Sequence, residues 1–269
     1  MLWILTQDDK VVRSKAGRMF CRDSIRTSNV LLGEFEVRHI KYTNRTGKLN
    51  QRRVTRRISK SGDRIICGED VKYYDEKLIT AAHYRSLMCV NAALGVLCGM
   101  SRVPKKLKVG IYDPSAQYVE ICESFLEHTD NLVVVSMQGD IYTSECKRLL
   151  WERGAVLSVS KKINSLSDCD IIVAPSGVDR AFKVNPRAVV FTNTCPFAQL
   201  MCRVFYRYEI TLPQMFSPLC DVGVESDILA AGLFTHYKIY SLGGLVPHSF
   251  LAKWDHGTKK EIISLLETP

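Results

Sequence analysis

Small polar side chains follow the apolar runs in the middle of the chain, and such side chains can hydrogen-bond a small ligand. The runs end at Asp113, Ser136, Ser160, Ser176 with Gly177, and Thr192 with Asn193. In open α/β sheets the carboxyl ends of the strands meet at one edge, and ligands bind in the crevice there. The sequence therefore predicts a ligand site, with the candidate residues Asp113, Ser115, Ser136, Ser176, Gly177 and Asn193. The same residue types are common in turns, so plain turn chemistry stays open as an alternative.

The elements that must position these residues alternate between strand and helix. Short apolar runs predict buried strands at Leu107–Tyr112, Asn131–Met137, Ala155–Ser160, Asp170–Ala174 and Ala188–Thr192. Helices are predicted at Glu76–Met100, Ser115–His128 and Ile141–Arg153, the last of them ended by Gly154. Apolar strands that alternate with helices indicate a parallel sheet covered on both faces. The predicted fold class is therefore α/β, a Rossmann-like doubly wound parallel sheet.

The turn after the first of these strands carries a carboxylate where a phosphate-binding turn carries glycines. It reads Gly110-Ile111-Tyr112-Asp113-Pro114-Ser115-Ala116-Gln117, and no glycine follows Gly110. Asp113 before Pro114 predicts a helix N-cap followed by the first helical residue. A carboxylate at that position occupies the N–H donors that a phosphate needs, and it repels the phosphate charge.

Two later segments resemble the Rossmann-type domain of NAD(P)-dependent dehydrogenases. Leu166–Gly177 is similar to the family's segment before the ligand-facing loop of strand four, and Val184–Phe191 is similar to its turn into strand five. The resemblance covers residues 107–193 and implies a nicotinamide dinucleotide as cofactor. The family's G-x-G-x-x-G turn is absent, and Asp140 is better placed to cap the next helix than to hold a ribose. NAD(P) binding is therefore disfavoured, and the cofactor stays unknown.

The regions on either side of residues 76–193 differ in pattern. Residues 1–75 hold short apolar groups, and Glu34–Ile40 alternates polar and apolar residues as a half-buried strand does. We expect a small, mostly antiparallel β-unit there. Residues 194–269 are predicted to form a mostly helical region, with helices at Gln199–Tyr208, Glu225–Tyr240 and Lys259–Leu266.

The positive charge is concentrated in one segment of the first region. The formal net charge is +9, and no acidic residue occurs between Glu36 and Asp63. Within it, residues 41–60 carry eight cations: Lys41, Arg45, Lys48, Arg52, Arg53, Arg56, Arg57 and Lys60. The candidate contacts to nucleic acid or another anion are Arg52, Arg53, Arg56 and Arg57. The alternative is an exposed, mobile loop that Val54 and Ile58, on one face of a strand, attach loosely to the sheet.

The ten cysteines and six histidines form no metal or redox motif. The chain has no C-x-x-C pair, Walker loop, G-x-S-x-G elbow or H-E-x-x-H helix, so no metal site is predicted. Most cysteines lie in apolar runs and are expected to be reduced core thiols. Cys195 is a candidate nucleophile, and His83 is a candidate histidine facing the crevice. For both residues the alternative is a purely structural role. No signal peptide or long apolar span is evident, so we expect a cytoplasmic protein without membrane contact, and a homodimer stays open.

These patterns leave three functions open. The missing glycine turn favours a non-catalytic or regulatory scaffold that binds a small molecule or nucleotide at the strand edge. An NAD(P)-dependent oxidoreductase-like enzyme with an altered cofactor loop is the first alternative. A weak nucleic-acid binder that uses residues 41–60 is the second, because phosphate contact alone gives non-specific binding.

Overall fold

The chain folds into two compact units, each with its own sheet and core. The computed structural model describes residues 1–10, 21–32, 35–46, 48–58, 60–68, 70–100, 107–197, 199–220, 222–238, 246–252 and 255–267. Unit 1 comprises Met1–Ala81 and Leu212–Gly244, and unit 2 comprises Ala82–Thr211 and Leu245–Pro269. Residues 194–269, expected as one region, are therefore divided between the two units.

The helices and strands of the described residues are as follows. The helices are α1 (Gln51–Thr55), α2 (Ala82–Gly99), α3 (Ile121–Leu126), α4 (Gly139–Arg153), α5 (Ser217–Cys220), α6 (Ser226–Tyr237) and α7 (Lys259–Glu267). The strands are β1 (Leu2–Asp9), β2 (Ser24–Leu32), β3 (Phe35–Asn44), β4 (Arg64–Cys67), β5 (Val109–Tyr112), β6 (Leu132–Val135), β7 (Ser158–Ser160), β8 (Ile171–Ala174), β9 (Val189–Thr192), β10 (Arg203–Phe205), β11 (Arg207–Glu209), β12 (Ser249–Leu251) and β13 (His256–Thr258). None of these helices is long and apolar enough to cross a membrane.

Unit 1 is built on a sheet with the strand order β2-β3-β1-β4. β2 pairs antiparallel with β3, as expected, whereas β1 runs parallel to both β3 and β4, so the sheet is mixed. Parallel strands of one sheet require a crossover connection, and the segment between β3 and β4, which contains α1, supplies one that passes β1. α6 is almost wholly buried and packs on β1 and β4. Its Gly232 permits this close approach, since a Cβ there would lie 2.8 Å from Cγ2 of Ile66.

Unit 2 is built on a parallel sheet with the order β10-β9-β8-β5-β6-β7. Counting β5 as the first strand, this is the order 3-2-1-4-5-6 of a Rossmann fold. Four of its strands, β5, β6, β8 and β9, are buried along their whole length, which explains why they read as continuous apolar runs. The predicted doubly wound α/β fold is confirmed, and α4 ends at Gly154 as expected, with φ +66° at that glycine.

The C-terminal part of the chain contains more strand than the sequence indicated. Gln199–Tyr208 was expected to be a helix, and this is wrong because the segment forms β10 and the start of β11. Val204, Phe205 and Tyr206 are strand-favouring residues, and Phe205 is fully buried against Phe191 and Phe250. β11, β12 and β13 form a small antiparallel sheet. The predicted helices near 225–240 and 259–266 correspond to α6 and α7, although residues 239–240 lie outside the described residues.

Candidate functional site

The parallel sheet of unit 2 reverses its strand order between β5 and β8. From β5 the chain adds β6 and β7 on one side, and it then returns to add β8, β9 and β10 on the other. Sheets of this kind bind ligands in the crevice beyond the carboxyl ends of the two strands where the order reverses. The residues that follow β5 and β8 there include Asp113, Ser176 and Gly177.

The carboxylate of Asp113 is completely buried beside the end of β5. Its Oδ2 accepts hydrogen bonds from the Tyr118 backbone N–H and the Tyr142 hydroxyl, each at 2.8 Å, and its Oδ1 lies 3.5 Å from the Ser176 hydroxyl. Burial, together with the Asp113 charge, raises the pKa of the Tyr142 phenol. Tyr142 is therefore a hydrogen-bond donor and stays protonated at neutral pH.

The turn after β5 does not lead directly into a helix. The expected N-cap role of Asp113 and Pro114 is wrong, because α3 begins only at Ile121 and Glu120 precedes it as the cap residue. A helix cap binds an N–H two or three residues further on, whereas Asp113 binds that of Tyr118, five residues on. Within the turn, Ala116 has a φ of +54°, in the left-handed region that glycine adopts more easily. Asp113 thus stabilises a loop in place of the first turn of a helix.

Gly177 brings the loops after β8 and β9 into contact. Its φ is +90°, and a Cβ would lie 3.0 Å from the Thr194 hydroxyl oxygen and 3.1 Å from Oδ1 of Asn193. Both the backbone conformation and the lack of space require glycine.

Asn193 is held by Ser86, a residue that sequence reasoning missed. The Ser86 hydroxyl is 2.7 Å from the Pro175 carbonyl and 3.0 Å from the Ala82 carbonyl. Because a carbonyl oxygen only accepts, the hydroxyl is the donor in both contacts. It therefore accepts the hydrogen bond that Nδ2 of Asn193 makes at 3.0 Å, which fixes the orientation of the amide. Oδ1 of Asn193 is left buried near Gly177 with no hydrogen-bond partner among the described residues. The available signal was a lone serine near the start of a mostly apolar helix.

The two remaining predicted residues lie at the border of this cluster. Ser136 follows β6, is fully buried, and accepts a hydrogen bond at 3.2 Å from the Gln138 N–H. Its own N–H donates to the Ser160 carbonyl at 3.0 Å, so Ser136 shapes the entry to α4. Ser115 is exposed on the turn after β5. The structure thus joins Asp113 with Ser176 and Gly177 with Asn193, and it places Ser136 on the neighbouring strand.

A cavity of about 540 Å³ adjoins the turn after β5. It lies between α2 and the loop that leads into α3, and its lining includes His83, Leu87, Asn91, Gln117, Tyr118 and Glu120. This volume is in the range of small-molecule sites, which is about 300–1,000 Å³. Tyr118 connects the cavity to the Asp113 carboxylate through its backbone N–H.

A second cavity, of about 450 Å³, lies beside β10 and includes Cys195 in its lining. The Arg203 guanidinium lines it too and forms a two-point ion pair with Asp255, at 2.7 and 2.8 Å. Cys202 also lines it, and burial raises the pKa of this thiol to about 11. Among the described residues no hydrogen bond joins Cys195 to a base, so the structure adds no support for a nucleophile there.

The four candidate arginines of unit 1 are exposed, but the segment that carries them is not a loosely attached strand. Arg52 and Arg53 lie in α1, and Arg56 and Arg57 follow it. The expectation of a segment that adds little to the core is wrong, because Val54 and Ile58 are 0% and 1% exposed. In the part of the chain that the structure describes, no cluster of His, Cys, Asp and Glu suited to a metal ion occurs.

Comparison with known proteins gives little information on function. No family model matches the chain, and no curated protein matches it. Among solved structures, L-tryptophan dehydrogenase from Nostoc punctiforme is similar with a TM-score of 0.33 and 15% identity, over 86% of this chain and 68% of that chain. A similarity of this size carries no information about function. The fold assignment rests on the strand order of the parallel sheet.

Proposed function

We propose that this chain is a non-catalytic, ligand-binding scaffold whose crevice at the carboxyl edge of β5, β8 and β9 takes a small molecule of nucleoside type. The observation that carries the proposal is the buried Asp113 carboxylate at the turn after β5, with Tyr118 and Tyr142 as its donors. A regulatory role follows if the bound ligand changes the conformation or the interactions of the chain and is not itself converted.

The carboxylate argues against the usual pose of a dinucleotide. A pyrophosphate needs free backbone N–H groups, a helix N-terminus and glycines at this turn. Here the carboxylate uses the Tyr118 N–H, and α3 starts nine residues after Tyr112, the last residue of β5. A phosphate placed at the turn would also meet the negative charge of Asp113.

Other features of the edge favour a ligand that has polar groups but no phosphate. Oδ1 of Asn193 is an acceptor in a fixed orientation, and a buried acceptor without a partner costs about 1–3 kcal/mol. A sugar hydroxyl or a base amine can supply the missing donor. The cavity beside Tyr118 has the volume for a molecule of that size, although Asn193 is not among the residues that line it.

The groups at the turn are poorly suited to proton transfer, which supports the non-catalytic part of the proposal. Asp113 is committed to its donors, and the raised pKa of Tyr142 keeps the phenol protonated. A general acid or base works best when its pKa lies near the working pH.

Calorimetric titration with adenosine and with NADH tests the proposal. We expect both to bind with affinities within about threefold of each other, because the pyrophosphate gains no donors. Gly177→Ala should weaken adenosine binding by about tenfold or more, since the new Cβ collides with Asn193 and Thr194. Gly154→Ala is the matched control: Gly154 also has a positive φ, of +66°, with nothing within 4 Å of the new Cβ, so this change should leave binding unchanged.

Two results would overturn the proposal. Micromolar NADH affinity with no adenosine binding would favour the oxidoreductase-like alternative and its altered cofactor loop. Binding of neither compound at millimolar concentration would exclude a nucleoside-type ligand.

A further inference from the structure

α1 of unit 1 and the turn that follows it bury their apolar residues and expose their basic residues. Val54 and Ile58 are four residues apart and buried, and the pairs Arg52/Arg56 and Arg53/Arg57 have the same spacing and are exposed. At 3.6 residues per turn, the four arginines spread over about 140° of the circumference: Arg52 and Arg56 lie opposite the buried side, and Arg57 lies at its border, about 60° from Val54. The helical path continues past Thr55, because Arg57 and Ile58 donate their N–H groups to Val54 and Thr55 at 2.9 and 3.0 Å. We call these four arginines the arginine face.

The backbone under the arginine face is fixed by hydrogen bonds. The Asn50 side chain caps α1 by accepting the Arg53 N–H at 3.2 Å, and the Asn50 backbone N–H donates to the Tyr42 hydroxyl at 3.0 Å. The Thr55 hydroxyl is 3.0 Å from both the Tyr73 hydroxyl and the Asp75 carboxylate. A partner of the arginine face therefore needs to order only side chains, which lowers the entropic cost of binding.

Carboxylates do not neutralise the arginine face. Within the described residues, none of its four side chains forms an ion pair, and the Arg53 guanidinium donates to the Asp23 carbonyl, at 3.1 Å. In unit 2, by contrast, Arg148 pairs with Glu123, Glu145 and Glu152. All eight cations of residues 41–60 are exposed, and they account for all but one of the nine net positive charges.

We propose that the arginine face binds the phosphate backbone of a nucleic acid duplex. Guanidinium groups fit phosphate oxygens with paired hydrogen bonds, and a fixed cluster of them provides affinity without sequence specificity. A single strand is less suitable, because Tyr42, the one aromatic residue among residues 41–60, is fully buried and cannot stack on a base. A membrane surface is also less suitable, because the apolar side of α1 is used by the core and cannot insert.

Fluorescence anisotropy with a short mixed-sequence duplex, over about 50 to about 200 mM salt, tests the proposal. Four phosphate contacts predict a slope of about −3.6 in a plot of log affinity against log salt. Joint replacement Arg52→Gln, Arg53→Gln, Arg56→Gln and Arg57→Gln should flatten that slope and lower the affinity at low salt by about tenfold or more. The joint change to lysine keeps the charges and should retain most of the slope.

A second variant separates the arginine face from net charge alone. Lys147→Gln, Lys162→Gln, Lys183→Gln and Lys260→Gln remove four exposed cations of unit 2, and this variant should bind the duplex as the parent does. Thermal melts should show that both variants are folded, because all the altered side chains are exposed. Equal losses in both variants, tighter binding of a single strand, or binding of phosphatidylserine vesicles without duplex binding would each overturn the proposal.

Discussion

A buried carboxylate is tolerated only where donors surround it, and Asp113 meets this condition with the N–H of Tyr118 and the hydroxyl of Tyr142. The sequence predicted a helix N-cap at Asp113, because Asp before Pro is a helix-start signal. It did not predict the donors, because Tyr118 and Tyr142 lie 5 and 29 residues after Asp113, further along the chain than the two or three residues that a helix cap spans. Ser86 was missed for a similar reason: its partners Pro175 and Asn193 are 89 and 107 residues away along the chain.

Tyr142→Phe should destabilise unit 2 by about 1–3 kcal/mol, since it removes a donor and leaves a buried carboxylate oxygen with one fewer partner. Urea unfolding followed by circular dichroism measures the loss. Tyr74→Phe is the control, because this tyrosine is 73% exposed and its change should be within about 0.5 kcal/mol. A loss for Tyr142→Phe no larger than that of the control would mean that the Asp113 hydrogen bonds contribute nothing to stability.

At the scale of elements, burial decided which patterns the sequence could reveal. β5, β6, β8 and β9 are covered on both faces, so each appears as a run of apolar residues. A spacing of four, as in Val54 and Ile58, fits one face of a strand and one face of a helix equally well. Only packing against the core of unit 1 settles it as a helix. β10 was missed because it has three residues, too few to show a period.

His39 on β3 should make the stability of unit 1 depend on pH. Burial, and then the charge of Lys41, lowers the pKa of His39, whose ring Nε2 lies 2.7 Å from the Thr6 hydroxyl oxygen. In the unfolded chain His39 takes up a proton as the pH falls through about 6.5, while the folded chain resists it. The unfolded state then binds more protons, so the free energy of unfolding should decrease as the pH falls below this value.

Urea midpoints at about pH 7.5 and about pH 5.5 check this prediction. The parent chain should lose stability at the lower pH, and His39→Gln should lose less. Some dependence should remain, because burial also lowers the pKa of His236 on α6, and the double variant with His236→Gln should remove more of it. If His39→Gln loses as much stability as the parent, His39 is not the group that titrates.

At the scale of the whole molecule, the two units could not be read from the sequence as contiguous pieces. Residues 212–244 belong to unit 1 because α6 packs on β1 and β4, and no change of composition marks that boundary. The charge distribution could be predicted from the sequence, because a cluster of cations is visible without knowledge of its tertiary contacts. The cysteines, by contrast, are distributed over both units and differ mainly in burial.

Thiol reactivity should therefore report on each unit separately. Nine cysteines are described as free thiols, and of these Cys98 and Cys195 are exposed. Burial raises the pKa of Cys67 in unit 1 to about 11 and that of Cys169 in unit 2 to about 12. Because the thiolate is the reactive form, these two should stay unreactive in the folded chain at neutral pH.

Labelling with a thiol reagent, followed by mass spectrometry of the peptides, measures this. Cys98 and Cys195 should react first, and Cys98→Ser with Cys195→Ser should remove the fast phase without shifting the urea midpoint. Cys67 should become reactive when unit 1 opens and Cys169 when unit 2 opens, so Tyr142→Phe should accelerate the labelling of Cys169 more than that of Cys67. Fast labelling of Cys67 or Cys169 in the native protein would show that its unit opens more readily than its buried core implies.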